Sequence, residues 1–149
     1  MYLLDTNHCS QIISEHPNIV KKLIELGDAP VATCVIVRGE LIFGAYKSER
    51  RDENLRNIES FLNDIDIIPL DNKVADVYGK LKAVVIDHFG PKEKARRRRF
   101  TIDNIGIREN DLWIAAVAKS KGYTIVSTDS DFDRIKEADD IKIESWLPE

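Results

Sequence analysis

Residues 109–145, ENDLWIAAVAKSKGYTIVSTDSDFDRIKEADDIKIES, carry a helix, a strand, a short helix and a strand in succession. ENDLWIAAVAKSKG is so rich in Ala, Ile, Leu and Val that its helix is expected to be largely buried, and Lys121-Gly122 is a stop signal. YTIVS is an apolar run of strand length, a short helix starts at Asp131, and IKIES is a closing strand. The same alternation extends toward the N-terminus. Tyr2-Leu3-Leu4 reads as a buried first strand; HCSQIIS and PNIVKKLIELG read as two short helices, the second with Pro17 at its start and Gly27 at its stop. VATC is a second strand, followed by a helix over VIVRGELIFGAY, a charged amphipathic helix over SERRDENLRNIESFLND and a third strand, DIIPL. Val74, Val77, Tyr78, Leu81, Val84 and Val85 share one face of a long helix that ends near His88. Strands alternating with helices predict an α/β fold, a parallel β-sheet flanked by helices on both faces with right-handed crossovers.

A chain of 149 residues has room for one real core, and no linker, repeat or low-complexity tract divides it, so residues 1–149 are expected to form a single domain. Hydrophobic residues at 43% against charged residues at 32% place the chain among globular proteins, not disordered ones. No apolar stretch is long enough to span a bilayer and no signal-peptide pattern opens the chain, which predicts a cytoplasmic protein. Cys9 and Cys34 have no metal-ligand spacing with each other or with His8, His16 and His88, so they read as buried thiols and not as zinc ligands.

Four acids stand where their carboxylates would converge. Asp5 directly follows the first strand and Asp129 closely follows YTIVS, so both lie beyond the carboxyl ends of parallel strands, the edge at which open sheets bind ligands. Asp111 stands at the N-terminus of the buried helix. Glu40 shares a helical stripe with Val37, Leu41 and Gly44, and a carboxylate on an apolar face needs a partner or a metal. Singly, each has a plain alternative: Asn110 or Asp111 as a helix cap, Asp129 as a turn, Asp5 as the end of a strand. Taken together, carboxylates brought within a few ångströms require a counter-charge, because like charges raise each other's pKa. An all-oxygen donor set favours Mg²⁺ or Mn²⁺. Such an ion can activate water for phosphodiester hydrolysis. Asp5, Asp111 and Asp129, with Asp131 beside them, are the expected metal ligands, and Glu40 either binds a second ion or orients the attacking water. Thr6, Asn7 and Ser127 are candidates to hold those carboxylates by hydrogen bonds. His8 lies near enough to touch substrate, although a lone histidine after a strand commonly caps or is solvated.

YLLDTN, VIVRGELIFGAYKS, ENDLWIAAVA and IVSTDSDFDRI, followed by IKIESW, resemble in order the motifs of PIN-domain ribonucleases, above all the VapC-type toxins of prokaryotic toxin-antitoxin pairs. The resemblance implies a PIN-like fold, metal-dependent endoribonuclease activity leaving 5′-phosphate and 3′-hydroxyl ends, a small antitoxin partner and a homodimer. Two features depart from the family pattern. Arg108 stands where the family commonly has Gly, and the connection before it is long.

That connection holds PKEKARRRRF, residues 91–100, in which Lys92, Lys94, Arg96, Arg97, Arg98 and Arg99 outweigh Glu93 to give +5. The net charge of −4 therefore leaves −9 on the remainder. Such a patch can neutralise RNA phosphates while Phe100 stacks on a base; equally, its arginines can pair with acids on the surface or on a partner protein. A haloacid-dehalogenase-like phosphatase would need a second Asp where Asn7 stands, and a receiver-like module would need paired acids after the first strand and a Lys near a late strand end. A catalytically degenerate PIN fold, serving only to bind RNA or protein, would be marked by loss of an acid, and all four are present.

Overall fold

The computed structural model describes residues 1–148. In chain order the elements are β1 (Tyr2–Leu4), α1 (Thr6–Ile13), α2 (Pro17–Leu26), β2 (Val31–Cys34), α3 (Val35–Lys47), α4 (Arg51–Asn63), β3 (Asp66–Ile68), α5 (Asn72–Phe89), α6 (Lys94–Arg97), α7 (Ile102–Ile105), α8 (Glu109–Lys121), β4 (Thr124–Val126), α9 (Ser130–Ala138) and β5 (Lys142–Glu144). The five strands form one all-parallel sheet in the order β3-β2-β1-β4-β5. The chain runs outward from β1 to β3, returns, and then builds β4 and β5 on the other side of β1. Right-handed crossovers accordingly place α1 to α4 on one face and α5 to α9 on the other. The helix contacts mostly divide the same way, with α1, α3 and α4 packed together and α5, α8 and α9 packed together, while α3 meets α8 across the carboxyl edge of the sheet.

Burial explains why such short strands hold. Leu3, Leu4, Ile125 and Val126 are fully buried between the two helical layers, as expected of central parallel strands. α8 is hydrophobic nearly all round, from Leu112 through Ala118, because it lies beneath α5 and against the sheet. Its alanines let α5 approach, and the rings of Tyr78 and Trp113 stack between the two helices with centroids 3.6 Å apart. After β5, Trp146 folds back to meet Tyr2 edge-on at 5.3 Å and closes the end of the sheet.

Several boundaries differ from expectation for local reasons. α1 begins at Thr6, earlier than HCSQIIS suggests, because the Asp5 side chain caps it by accepting from the His8 N–H. β3 stops at Ile68, since Pro69 cannot donate to a ladder. α9 begins one residue early because Asp129 is its cap. The connection between α5 and α8, to which the sequence pattern assigns no element, contains two short helices. α7 is started by reciprocal bonds between Thr101 and Asn104 and ended by Gly106 at φ 83°, a conformation that favours glycine. Cys9 and Cys34 are buried thiols as expected, and burial pushes the pKa of both up.

Candidate active site

Strand order reverses between β1 and β4, and the crevice beyond the carboxyl ends of those strands is where a doubly wound sheet leaves room for a ligand. A cavity of about 410 Å³ lies there. Asp5, Glu40, Asp111 and Asp129 all line it, together with Thr6, Asn7, Ser10, Arg108, Ile114 and Thr128. Each acid arrives from a different element. Pairing of Leu4 with Val126 sets the residues after β1 and β4 side by side. α3 starts immediately after β2 and carries Glu40 back over the crevice, while α8 brings Asp111 in its first turn.

Asp5 is the most heavily tethered of the four. Its Oδ1 accepts from the His8 backbone N–H at 2.8 Å and from His8 Nδ1 at 3.0 Å, and its Oδ2 accepts from the Ser127 hydroxyl. The Trp146 backbone N–H can only donate, and it donates to His8 Nε2 at 3.3 Å, so the ring proton sits on Nδ1 and points at Asp5. His8, fully buried, is therefore a strut between the first carboxylate and the closing loop; a capping position was foreseeable from the sequence, but this strut was not. Ser127 in turn accepts from the Asp129 N–H at 2.9 Å, which ties the second loop to the first. Oδ2 of Asp5 retains a lone pair directed elsewhere. Of the residues proposed to orient carboxylates, Ser127 does so. Thr6 Oγ1 is buried without a hydrogen-bond partner, and Asn7 is an exposed residue on the cavity wall.

Asp111, Asp129 and Asp131 offer oxygens that all lie within 4.8 Å of one another, the one such acidic or metal-ligating cluster among the described residues. At an effective dielectric of about 20, ionised carboxylates at that spacing repel by roughly 3–4 kcal/mol per pair. Asp5 and Glu40 share the cavity but stand outside this tight group. Three features offset the repulsion. The N-termini of α8 and α9 both point at the cluster, presenting the positive ends of their dipoles. Asp129 accepts from the Asp131 N–H at 2.9 Å as the cap of α9, so the capping role and the site role coincide in one residue. Arg108 supplies the third. Its guanidinium donates to both oxygens of Asp111 at 3.1 and 3.3 Å and to Asp129 at 2.8 Å, and its Nε lies 3.8 Å from Asp131. Burial works to lower the Arg108 pKa, yet Asp111 and Asp129 leave it above its ordinary value, so the guanidinium remains charged.

The residues present fit a divalent cation. Every nearby donor is an oxygen, which suits a hard ion. Glu40 Oε1 is buried with no hydrogen-bond partner, a costly arrangement unless something in the cavity meets it. The Asp111 pKa is raised to about 8, first by burial and then by a hydrogen bond with the Asp131 carboxyl; Arg108 opposes the rise, and Asp129 and Asp131 add to it.

The basic segment lies apart from this cluster. Lys92, Lys94 and Arg96 to Arg99 are all exposed, and Arg97 pairs with Asp87 on α5. Arg96 and Arg99 line an open cavity of about 470 Å³ with Phe89, Phe100 and Asn104. Arg108 stands four positions after Asn104, a span of at most about 14 Å of chain.

The PIN domain family model matches residues 2–138. The chain is 30% identical to a tRNA(fMet)-specific endonuclease VapC from Shigella flexneri over 146 residues, 97% of each chain. Among solved structures it is similar to VapBC2 from Rickettsia felis, bound to a DNA fragment from its promoter, with TM-score 0.76 and 27% identity over 98% of both chains. It is also similar to VapBC-5 of the VapBC family of toxin-antitoxin systems from Mycobacterium tuberculosis, with TM-score 0.64 and 25% identity over 96% of this chain and 94% of that one.

A pH dependence follows from Asp111. A carboxyl whose folded pKa is about 8, against an ordinary value near 4, binds its proton more tightly in the native state. It contributes stability that is fully present below about pH 4 and is lost as the pH rises through about 8. Thermal melts in chelator should show the wild type losing stability from pH 5 to pH 9 and Asp111→Asn losing much less. Parallel curves for the two proteins would show that Asp111 does not hold that proton.

Proposed function

We propose a function from one premise: the chain belongs to the PIN-domain family, and to the VapC-type ribonucleases within it. It is an endoribonuclease, the toxin of a toxin-antitoxin pair, and its protein partner is an antitoxin. PIN nucleases generally depend on a divalent metal, and this chain carries a buried acidic cluster compatible with that dependence. No helix among the described residues is long and apolar enough to cross a membrane, and we place the enzyme's action on RNA in the cytoplasm.

The observation that carries the mechanism is the convergence of Asp5, Glu40, Asp111 and Asp129 on one cavity. We assign the ion as Mg²⁺ or Mn²⁺, which would be held by Asp111 and Asp129, with Asp131 beside them and Asp5 on the same cavity wall. When bound, the ion lowers the pKa of water and offsets charge on the phosphate. The residues do the rest. His8 and Ser127 fix the Asp5 carboxylate so that it need not reorganise. Glu40 Oε1, with no partner of its own, takes the proton of the attacking water. The water oxygen bonds to phosphorus as the bond to the 3′-oxygen breaks; the departing 3′-oxygen takes a proton from solvent, and the products are a 5′-phosphate and a 3′-hydroxyl. Arg96 and Arg99 neutralise phosphates of the flanking strand, and Phe100 offers a face for a base. Arg97, engaged by Asp87, contributes less.

A groove of about 290 Å³ between α1, α3 and α4 is the proposed seat of the antitoxin. It is lined by Ile13, Leu41, Ala45 and Ile58, and it shares Thr6, Ser10 and Glu40 with the catalytic cavity. A segment lying in the groove would therefore end over the carboxylates and exclude RNA.

Cleavage of total small RNA by antitoxin-free protein tests the enzyme reading. Discrete products are expected with Mg²⁺ or Mn²⁺, none with EDTA, and a loss of at least about a hundred-fold in rate with Asp111→Asn. Undiminished cleavage by that variant would remove Asp111 from the catalytic set. For the basic segment, Arg96→Glu combined with Arg99→Glu should weaken RNA binding and flatten the plot of log K against log salt by about two phosphate contacts. An unchanged slope would assign those arginines to the surface alone.

A further inference from the structure

Arg108 is bound to the carboxylate cluster more closely than a turn residue before a helix requires. Its backbone N–H already donates to Asp131 Oδ2 at 3.0 Å, which is enough to join the start of α8 to the start of α9. Its guanidinium adds bonds to Asp111 and Asp129 and approaches Asp131. Those are the same three residues whose oxygens converge within 4.8 Å. A guanidinium and a divalent cation would thus draw on the same lone pairs, and both cannot be satisfied at once. The arginine side chain is 60% exposed while that of Asp111 is 2% exposed. The cation is therefore the part able to leave, and the carboxylates are the part fixed in place. Arginine does not lose its charge at ordinary pH, so the pairing can be undone only by movement or by competition.

We propose that Arg108 is a built-in counter-cation for Asp111, Asp129 and Asp131, which holds the metal-free site together and must surrender its ion pairs before a divalent cation can bind. The proposal rests on the reading of this cluster as a cation site. Two consequences follow. The metal-free protein keeps its carboxylates close without their mutual repulsion opening the cleft between α8 and α9. Its affinity for a divalent ion is lower than the same cluster would otherwise show, because part of the binding free energy goes into displacing the guanidinium. Activity then responds to the concentration of free divalent cation, with Arg108 setting the range. A purely structural tie would behave differently: its loss would weaken the loaded and the metal-free protein alike and would not tighten binding.

The test is calorimetric titration of Mn²⁺ into the full chain as wild type, R108Q and R108M, with melts in chelator and in saturating Mn²⁺. R108Q is expected to bind Mn²⁺ more tightly, on the order of ten-fold. It should melt below the wild type in chelator, and saturating Mn²⁺ should close that gap. R108M, which keeps the aliphatic stem, should do the same and carries the test if R108Q does not fold. Affinity equal to or weaker than wild type in the folded variants overturns the proposal. Binding by the variants with none detectable in the wild type is its strongest support. Absence of Mn²⁺ binding in the wild type and both variants overturns the cation-site reading itself, and the proposal with it.

Discussion

Like-charge repulsion at the carboxyl edge of the sheet is the constraint around which the site is organised. Three aspartate side chains are brought within 4.8 Å of one another, and Asp5 and Glu40 face the same cavity. Left alone, such a group would drive α8 and α9 apart. Helix dipoles and the Arg108 guanidinium offset that repulsion, and burial raises the pKa of Asp111. The arrangement costs stability, and proteins keep such a cost at sites where it serves function. A cluster whose charge must be offset in this way is compatible with a divalent cation.

The parallel sheet makes the convergence possible. Reversal of strand order between β1 and β4 leaves two adjacent loops with nothing between them, and Asp5 and Asp129 occupy those loops. Ser127 bonds to both and ties the two loops together. His8 extends the same network to Trp146, and Trp146 packs on Tyr2 of β1. A residue far from the cavity in sequence thereby helps to aim the first carboxylate. The groove on the other side of Glu40 shares Thr6, Ser10 and Glu40 with this cavity, so whatever fills it lies against the same acids.

Much of this was legible in the residues because the signals are local. Asp5 and Asp129 follow apolar runs of strand length, and Glu40 interrupts an apolar helical stripe, so their direction could be read from periods of two and 3.6. The alternation of elements and the order of motifs were enough for the parallel α/β fold and the family. Tertiary approach hid the rest. His8 looked like an ordinary capping residue because its second partner, Trp146, lies 138 positions away. Arg108 registered only as a departure from the family pattern, since its role depends on how closely α9 comes to α8. The basic run was read as one unit, but Arg97 turns back to Asp87 while Arg96 and Arg99 face a cavity with two phenylalanines. α7 starts with Thr101 and Asn104 bonded to each other, but Asn stands where the capping-box signature has Glu or Gln, so the helix was not legible from that pattern.

Diffraction from crystals of the antitoxin-free protein soaked in Mn²⁺, recorded where manganese scatters anomalously, tests most directly whether this crevice is the cation centre of the enzyme. An anomalous peak enclosed by the Asp111 and Asp129 carboxylates and facing Asp5, with the Arg108 guanidinium turned away from them, is the expected result. Crystals of protein that cleaves RNA but shows no peak in the crevice, with Arg108 still bridging Asp111 and Asp129, would contradict it.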